Sequence, residues 1–420
     1  MGLPRLGSPQ HPTILPCHDP PTLPSLTVSL PREGASSPTS PGQAASDRPT
    51  APEPLGRRDF DLRPFMASSN RLATWQILNT LVPYGLLWWL GLELLHRSPW
   101  LLLPVIALQV LFLARCFSLM HDCGHHSLFR NRRANRWCGF LLGVVSGIPQ
   151  LPWSRGHEYH HRHNGDWEKY QGPSALVSTE AFARLNPSQQ RQYGWLRHPL
   201  MLFPGGFFYL VIKPRLALLL GLAALLPYTI RSLQESPDRS FQEILASHHS
   251  RHWYSPEEFH DLLLNNLAVL ALWTAMGATV GAAAFWTIYT PVMTCGAAIF
   301  ICIFFVQHNF PGSYAHTTEG WNAMAGALEG TSDLELPAVL NWFSADIGCH
   351  AIHHLCAAIP NYRLRACNQR NADRLQGVKR LKLSDIPGCF NYILWDPSLG
   401  RLTTMASQRS RAKQVGAAGA

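Results

Sequence analysis

From residue 262 to residue 307 the chain runs for forty-six residues without an Asp, Glu, Lys or Arg. About 20 apolar residues cross the roughly 30 Å hydrocarbon layer of a bilayer. The run therefore predicts two spans, 262–284 and 288–307, with a short turn near 285–291. An earlier pair, 72–95 and 100–119, is separated only by the HRSP sequence at 96–99. Trp88, Trp89 and Trp100 stand where interfacial aromatics collect. Helices buried in soluble proteins show a polar stripe and seldom exceed 20 residues. With only 15% of the chain charged and 46% apolar, the expected class is an all-α integral membrane protein with four transmembrane helices in two hairpins.

Two further apolar stretches fit a span less well. Residues 138–151 are too few, and 199–228 is interrupted by Lys213, Pro214 and Arg215, leaving pieces of about 14 residues that suit interfacial or re-entrant segments. Residues 1–64 carry fourteen prolines and six basic residues balanced by six acidic ones, the composition of a disordered tail. No apolar core follows Met1, so a cleavable secretory signal is not expected. From Arg363 onward eleven Lys or Arg face three Asp. The positive-inside rule places that end in the cytoplasm, although a basic end also suits docking of an acidic electron donor. The predicted organisation is a disordered tail at 1–64, a membrane domain at 65–395 and a basic flexible tail at 396–420. Ten cysteines without a CxxC read as reduced thiols rather than a disulfide or zinc framework.

The histidines carry the chemistry. HEYHH at 157–161 and HAIHH at 350–354 repeat one HxxHH pattern, and HDCGHH at 121–126 adds His121 and His125. HEYHH has two readings. As H-E-x-x-H it is a zinc-protease signature with Glu158 as general base; as HxxHH it offers His157, His160 and His161 together. On a helix, positions i, i+3 and i+4 share one face, so the three boxes supply eight imidazoles. That is too many for one zinc and fits two metals, whose element imidazole alone does not select. If the chain enters the membrane at 72 from the cytoplasm, the boxes and His308 in FFVQHNF all emerge on one side. This holds provided that 199–228 crosses zero or two times. An ionisable residue at the end of a span is a functional candidate by default.

HDCGHHS at 121–127, WSRGHEYHHRHNGDWE at 153–168, FFVQHNF at 304–310 and GCHAIHHLCAAIPNYRL at 348–364 resemble the membrane fatty acid desaturases of the di-iron type, over roughly residues 72–395. The resemblance implies two non-haem iron ions with O2 as co-substrate, in a cytoplasmic helical cap that carries the histidine boxes above an acyl-chain tunnel. Carried over by position, the ligands are His121, His125, His157, His160, His161, His308, His350, His353 and His354, with His126, His163 and His316 outside the pattern. His350, where front-end relatives usually carry Gln, points to the acyl-lipid or methyl-end branch. No HPGG-type cytochrome b5 module is present, which implies an external donor of ferredoxin or cytochrome b5 type. The implied partners are an acyl lipid or acyl thioester and membrane lipids, with no nucleic acid.

Removing hydrogen from an unactivated methylene pair needs a redox-active metal, which zinc is not. Outer ring N–H groups need acceptors, and Asp122, Glu158, Asp166 and Asp346 lie close enough in sequence to provide them. On this reading Glu158 orients a ligand. The competing expectations are a zinc protease, a metal or haem carrier, and a hydroxylase or ketolase of the same superfamily acting on a lipid, sterol or carotenoid.

Overall fold

Helix α1 (Asn70–Leu95) and helix α2 (Pro99–Gly124) open the membrane part of the chain, on either side of the expected break. The computed structural model describes residues 55–418, except 96, 171, 173 and 174. Helix α3 (Arg132–Ser146) packs along α2 and stops at Gly147, whose φ of +72° closes the left-handed cap. Helix α4 (Gln150–His163) follows. After it come α5 (Pro199–Glu235), α6 (Pro256–Met276), α7 (Ala282–Val306), α8 (His350–Leu355) and α9 (Met405–Ala418). Two small sheets lie among the loops. In one, β1 (Ser332–Glu335) pairs in parallel with β2 (Lys379–Lys382). In the other, β3 (Tyr392–Asp396) and β4 (Arg401–Thr404) form an antiparallel hairpin.

Four helical stretches are long and apolar enough to cross a membrane: Asn70–Leu95, Trp100–Gly124, Pro199–Glu235 and Pro256–Val306. Much of their outer surface is bare hydrocarbon. Trp75, Leu78, Val82, Leu86 and Trp89 on α1 and Leu219, Leu220 and Leu226 on α5 are exposed, a larger apolar surface than a soluble monomer tolerates. These features fit a membrane protein.

Two differences from the sequence reading have clear causes. The turn expected near 285–291 falls earlier, at Gly281, whose φ of +88° suits a residue without a Cβ. Thirteen residues of straight helix would separate Trp273 from Trp286 by about 20 Å. Their ring centroids are 5.2 Å apart, and Trp273 also lies 5.8 Å from Tyr289, so the chain reverses between α6 and α7. Pro291 is carried inside α7.

The second difference is α5, expected as two pieces. Pro214 cannot donate to the carbonyl of Leu210, and the helix widens to a π turn at Phe208–Ile212. The Arg215 guanidinium takes over, donating to the Leu210 carbonyl and to that of Gly147, both at 2.9 Å. Before the π turn α5 runs antiparallel to α7, with Gly206 against Ala297 and Gly147 of α3 wedged between Leu210 and Met293. Beyond it α5 packs on α6, with the Pro214 carbonyl on Asn266, and Gly221 meets the Trp253 ring just ahead of α6.

The expected N-terminal tail lies mostly outside the described residues. Within it, Phe60 and Leu62 are buried against Ile352, Leu364 and Leu375, and Asp61 pairs with Arg370 at 3.0 Å. The apolar alternation of FDLRPF anchors the chain where proline content alone suggests disorder. Residues 396–418, expected as a flexible tail, contain the end of β3, β4 and α9, with Arg411 paired to buried Asp396.

Candidate metal centre

Each histidine box sits where its helix can aim it. His121 is in the last turn of α2 with His125 just beyond, and His157, His160 and His161 are on α4. His308 follows the end of α7, and His350, His353 and His354 are on α8. Four elements far apart in sequence thus bring all nine expected residues together. The first set is His121, His125, His157, His161 and His353, whose ring nitrogens lie within 4.8 Å of one another; the second is His160, His308 and His354. His350 joins the second through His308, with their Nε2 atoms 3.0 Å apart. The three histidines expected outside the pattern stay outside: His126 is exposed, His163 faces the Tyr159 carbonyl, and His316 belongs to a loop bridge with Asp166.

Several Nε2 atoms converge. The Nε2 of His161 meets those of His157 at 3.0 Å and His353 at 3.1 Å, while the Nε2 of His308 meets His160 at 3.1 Å. The Nδ1 of His308 lies 3.1 Å from the Gly330 carbonyl, so its proton belongs there and Nε2 presents a lone pair. Among the described residues, the buried Nε2 atoms of His121, His125 and His354 have no hydrogen-bond partner. A buried polar atom without a partner is costly, and a metal ion would satisfy several of these nitrogens at once. The residues present therefore fit metal ions. Burial, reinforced by neighbouring imidazoles, pushes His157, His160, His161, His350, His353 and His354 well below the ordinary imidazole range, and burial holds His308 at about 4. These seven rings are neutral at physiological pH, as ligands must be.

Of the four expected carboxylates only Asp122 touches a ring of this group. Its Oδ1 lies 3.2 Å from His121 Nδ1, and its Oδ2 accepts from the backbone and side-chain nitrogens of Asn361, both at 2.8 Å. The other three face away from this group. Glu158 is exposed and pairs with Arg162, because position i+1 beside an inward-facing His157 points outward. Buried Asp166 holds Thr318 and Lys169, and Asp346 holds Arg365. Asp122→Ala is expected to weaken metal retention 10- to 100-fold, read as metal left after dialysis against a chelator. Glu158→Gln is expected to leave turnover within about twofold of the parent, since an outward carboxylate paired at the surface contributes little; a loss of a hundredfold would restore the general-base reading.

Sequence reasoning missed Asn361 and the Gly330 carbonyl. It also missed Trp153, which stacks on His157 at 4.8 Å, and Tyr170, 4.7 Å from His160. No local spacing marks them, because they reach the site through tertiary contact. A cavity of about 530 Å³ opens onto His157 and His160, walled by Phe117, Trp153, Phe300 and Phe304. Phe117 and Phe300 are stacked 3.9 Å apart.

Fold and site together define a mostly helical membrane protein whose buried polar centre is built from imidazole. The chain belongs to the fatty acid desaturase family, whose sequence model matches residues 97–381. It is 27% identical to a fatty acid desaturase of Bacillus subtilis over 322 residues, 76% of this chain and 82% of that protein. It is 25% identical to the sn-1 oleoyl-lipid 12-desaturase of Anabaena variabilis over 307 residues, 70% and 75% of the two chains. It is 23% identical to a ferredoxin-dependent sn-1 acyl-lipid omega-3 desaturase of Synechocystis over 285 residues, 65% and 68%. Membership makes it an oxidoreductase with a histidine-rich group able to hold metal.

Proposed function

We propose that the protein introduces a double bond into a lipid-linked acyl chain by O2-dependent chemistry at two irons, as an acyl-lipid or methyl-end desaturase fed by a ferredoxin or cytochrome b5 type donor. The observation that carries this reading is the division of nine buried or half-buried histidines into two adjoining sets beside a largely apolar cavity. Five imidazoles would hold one ion and four the other. When bound, the iron pair would supply the two-electron O2 activation that unactivated C–H bonds require.

The chain's own residues do the rest. Asp122 and the Gly330 carbonyl fix the outer nitrogens of His121 and His308, so that Nε2 faces inward. Phe117, Phe300, Phe304 and Trp153 keep water from the end of the cavity and hold a methylene chain beside the histidines. The proposed membrane arrangement is two hairpins, α1 with α2 and α6 with α7, with the histidine-bearing cap on the cytoplasmic face of a domain spanning residues 65–395. In this arrangement α5 is a re-entrant segment that returns to the side it left. That parity keeps α4 and α8 on one face.

The test is the fatty-acid profile of a host with a simple membrane, expressing the parent chain or His160→Ala, with double bonds located by mass spectrometry. His160 belongs to HxxHH and not to H-E-x-x-H. A new unsaturated acid from the parent that disappears in the variant is the expected result. A hydroxylated or oxidised lipid in its place overturns desaturation in favour of a hydroxylase or ketolase.

A further inference from the structure

The cavity that reaches His157 and His160 is also lined by Arg155, Lys213, Arg251 and His252, and among the described residues neither Asp nor Glu contributes to its wall. Arg155 is already satisfied, with Nε 2.7 Å from Glu258 Oε1 and its guanidinium 3.8 Å above the Tyr254 ring. Lys213 and Arg251 are different. Both are exposed, and among the described residues neither has an acidic partner. Among the described residues the Lys213 ammonium meets the face of Tyr209, at 4.7 Å.

A hydrocarbon chain has no use for cations, and placing them beside apolar surface without a counter-ion is unfavourable. We propose that this basic part of the cavity wall binds the phosphate joined to the carbonyl end of the acyl substrate, and that the carrier is a glycerophospholipid. This deepens the desaturase reading and rests on it. Lys213 supplies a point charge and Arg251 a fork of N–H donors suited to phosphate oxygens, while His252 and the fixed Arg155 narrow the opening. A phosphate also belongs to soluble pantetheine thioesters such as acyl-CoA. The surroundings favour the lipid: Ile212, Leu216, Leu219 and Leu220, on the same helix as Lys213, are exposed, so a carrier dissolved in the bilayer meets the opening sideways. A soluble thioester would have to approach across the same apolar rim.

The experiment uses the full chain with iron and an electron donor. It is placed in vesicles of equal parts phosphatidylglycerol and monogalactosyldiacylglycerol carrying the same acyl chains, with acyl-CoA in a parallel reaction. The expected result is at least about tenfold more product in the phospholipid than in the galactolipid. The ratio should fall to within about twofold in the Lys213→Gln, Arg251→Gln double variant. Equal turnover of both lipids by the parent, or a ratio that survives the double substitution, overturns the site. Preference for acyl-CoA over the phospholipid overturns the lipid as the source of the phosphate. A second readout needs no turnover: native mass spectrometry of the detergent-purified protein should find phosphatidylglycerol retained by the parent and lost from the variant. It decides the site even where no double bond forms in any substrate, an outcome that overturns the desaturase reading instead.

Discussion

Replacing His308 with alanine is expected to lower bound metal from about two ions per chain to about one, and to lower desaturation by more than a hundredfold. The Nε2 of His308 is 3.1 Å from that of His160 and 3.0 Å from that of His350, so it is the hub of the second histidine set. The first set, His121, His125, His157, His161 and His353, has no member on α7. Partners that merely orient a ligand contribute 10- to 100-fold to metal affinity, and a ligand at the hub contributes more. Elemental analysis of the purified variant reads the metal count directly, independently of turnover. Retention of both ions would remove His308 from the ligand set. Loss of both would mean that the two sets assemble only together.

The second large effect is on stability. Arg215→Met keeps the apolar stem and removes the donors that serve the Gly147 and Leu210 carbonyls. Both residues are buried, and each orphaned acceptor costs about 1–3 kcal/mol, so the variant is expected to lose about 2–6 kcal/mol. Its melting temperature in detergent should fall by several degrees. Arg215→Lys should fall between the two, because one ammonium cannot reproduce a planar fork aimed at two carbonyls. A melting temperature unchanged in Arg215→Met would mean that the π turn holds α5 in place without the guanidinium. Since the π turn adjoins Lys213, the same variant should also blunt the lipid preference expected of that side chain.

The site was legible in the sequence to the extent that its information is local. The spacing of HxxHH places three imidazoles on one helix face whatever surrounds the helix, and a charge-free run of forty-six residues demands apolar surroundings. The outward direction of Glu158 was not legible, because adjacency in sequence says nothing about which neighbour shares a face. Asp122 reaches His121 while Asp166 and Asp346 serve their own loops, and four similar carboxylates are separated only by the packing around them.

What the sequence by itself determined, then, is the class of the protein, the nine histidines and the helices that present them, since periodicity and hydropathy act over a few turns. The tertiary structure alone decided the division of those histidines into sets of five and four. It also placed the reversal at Gly281 and bent α5 at a proline whose lost hydrogen bond a distant arginine helps to replace. It brought Asn361 and Gly330 to the centre as well. Each of these depends on groups far apart along the chain, and only the packing of helices against one another sets the distances between them.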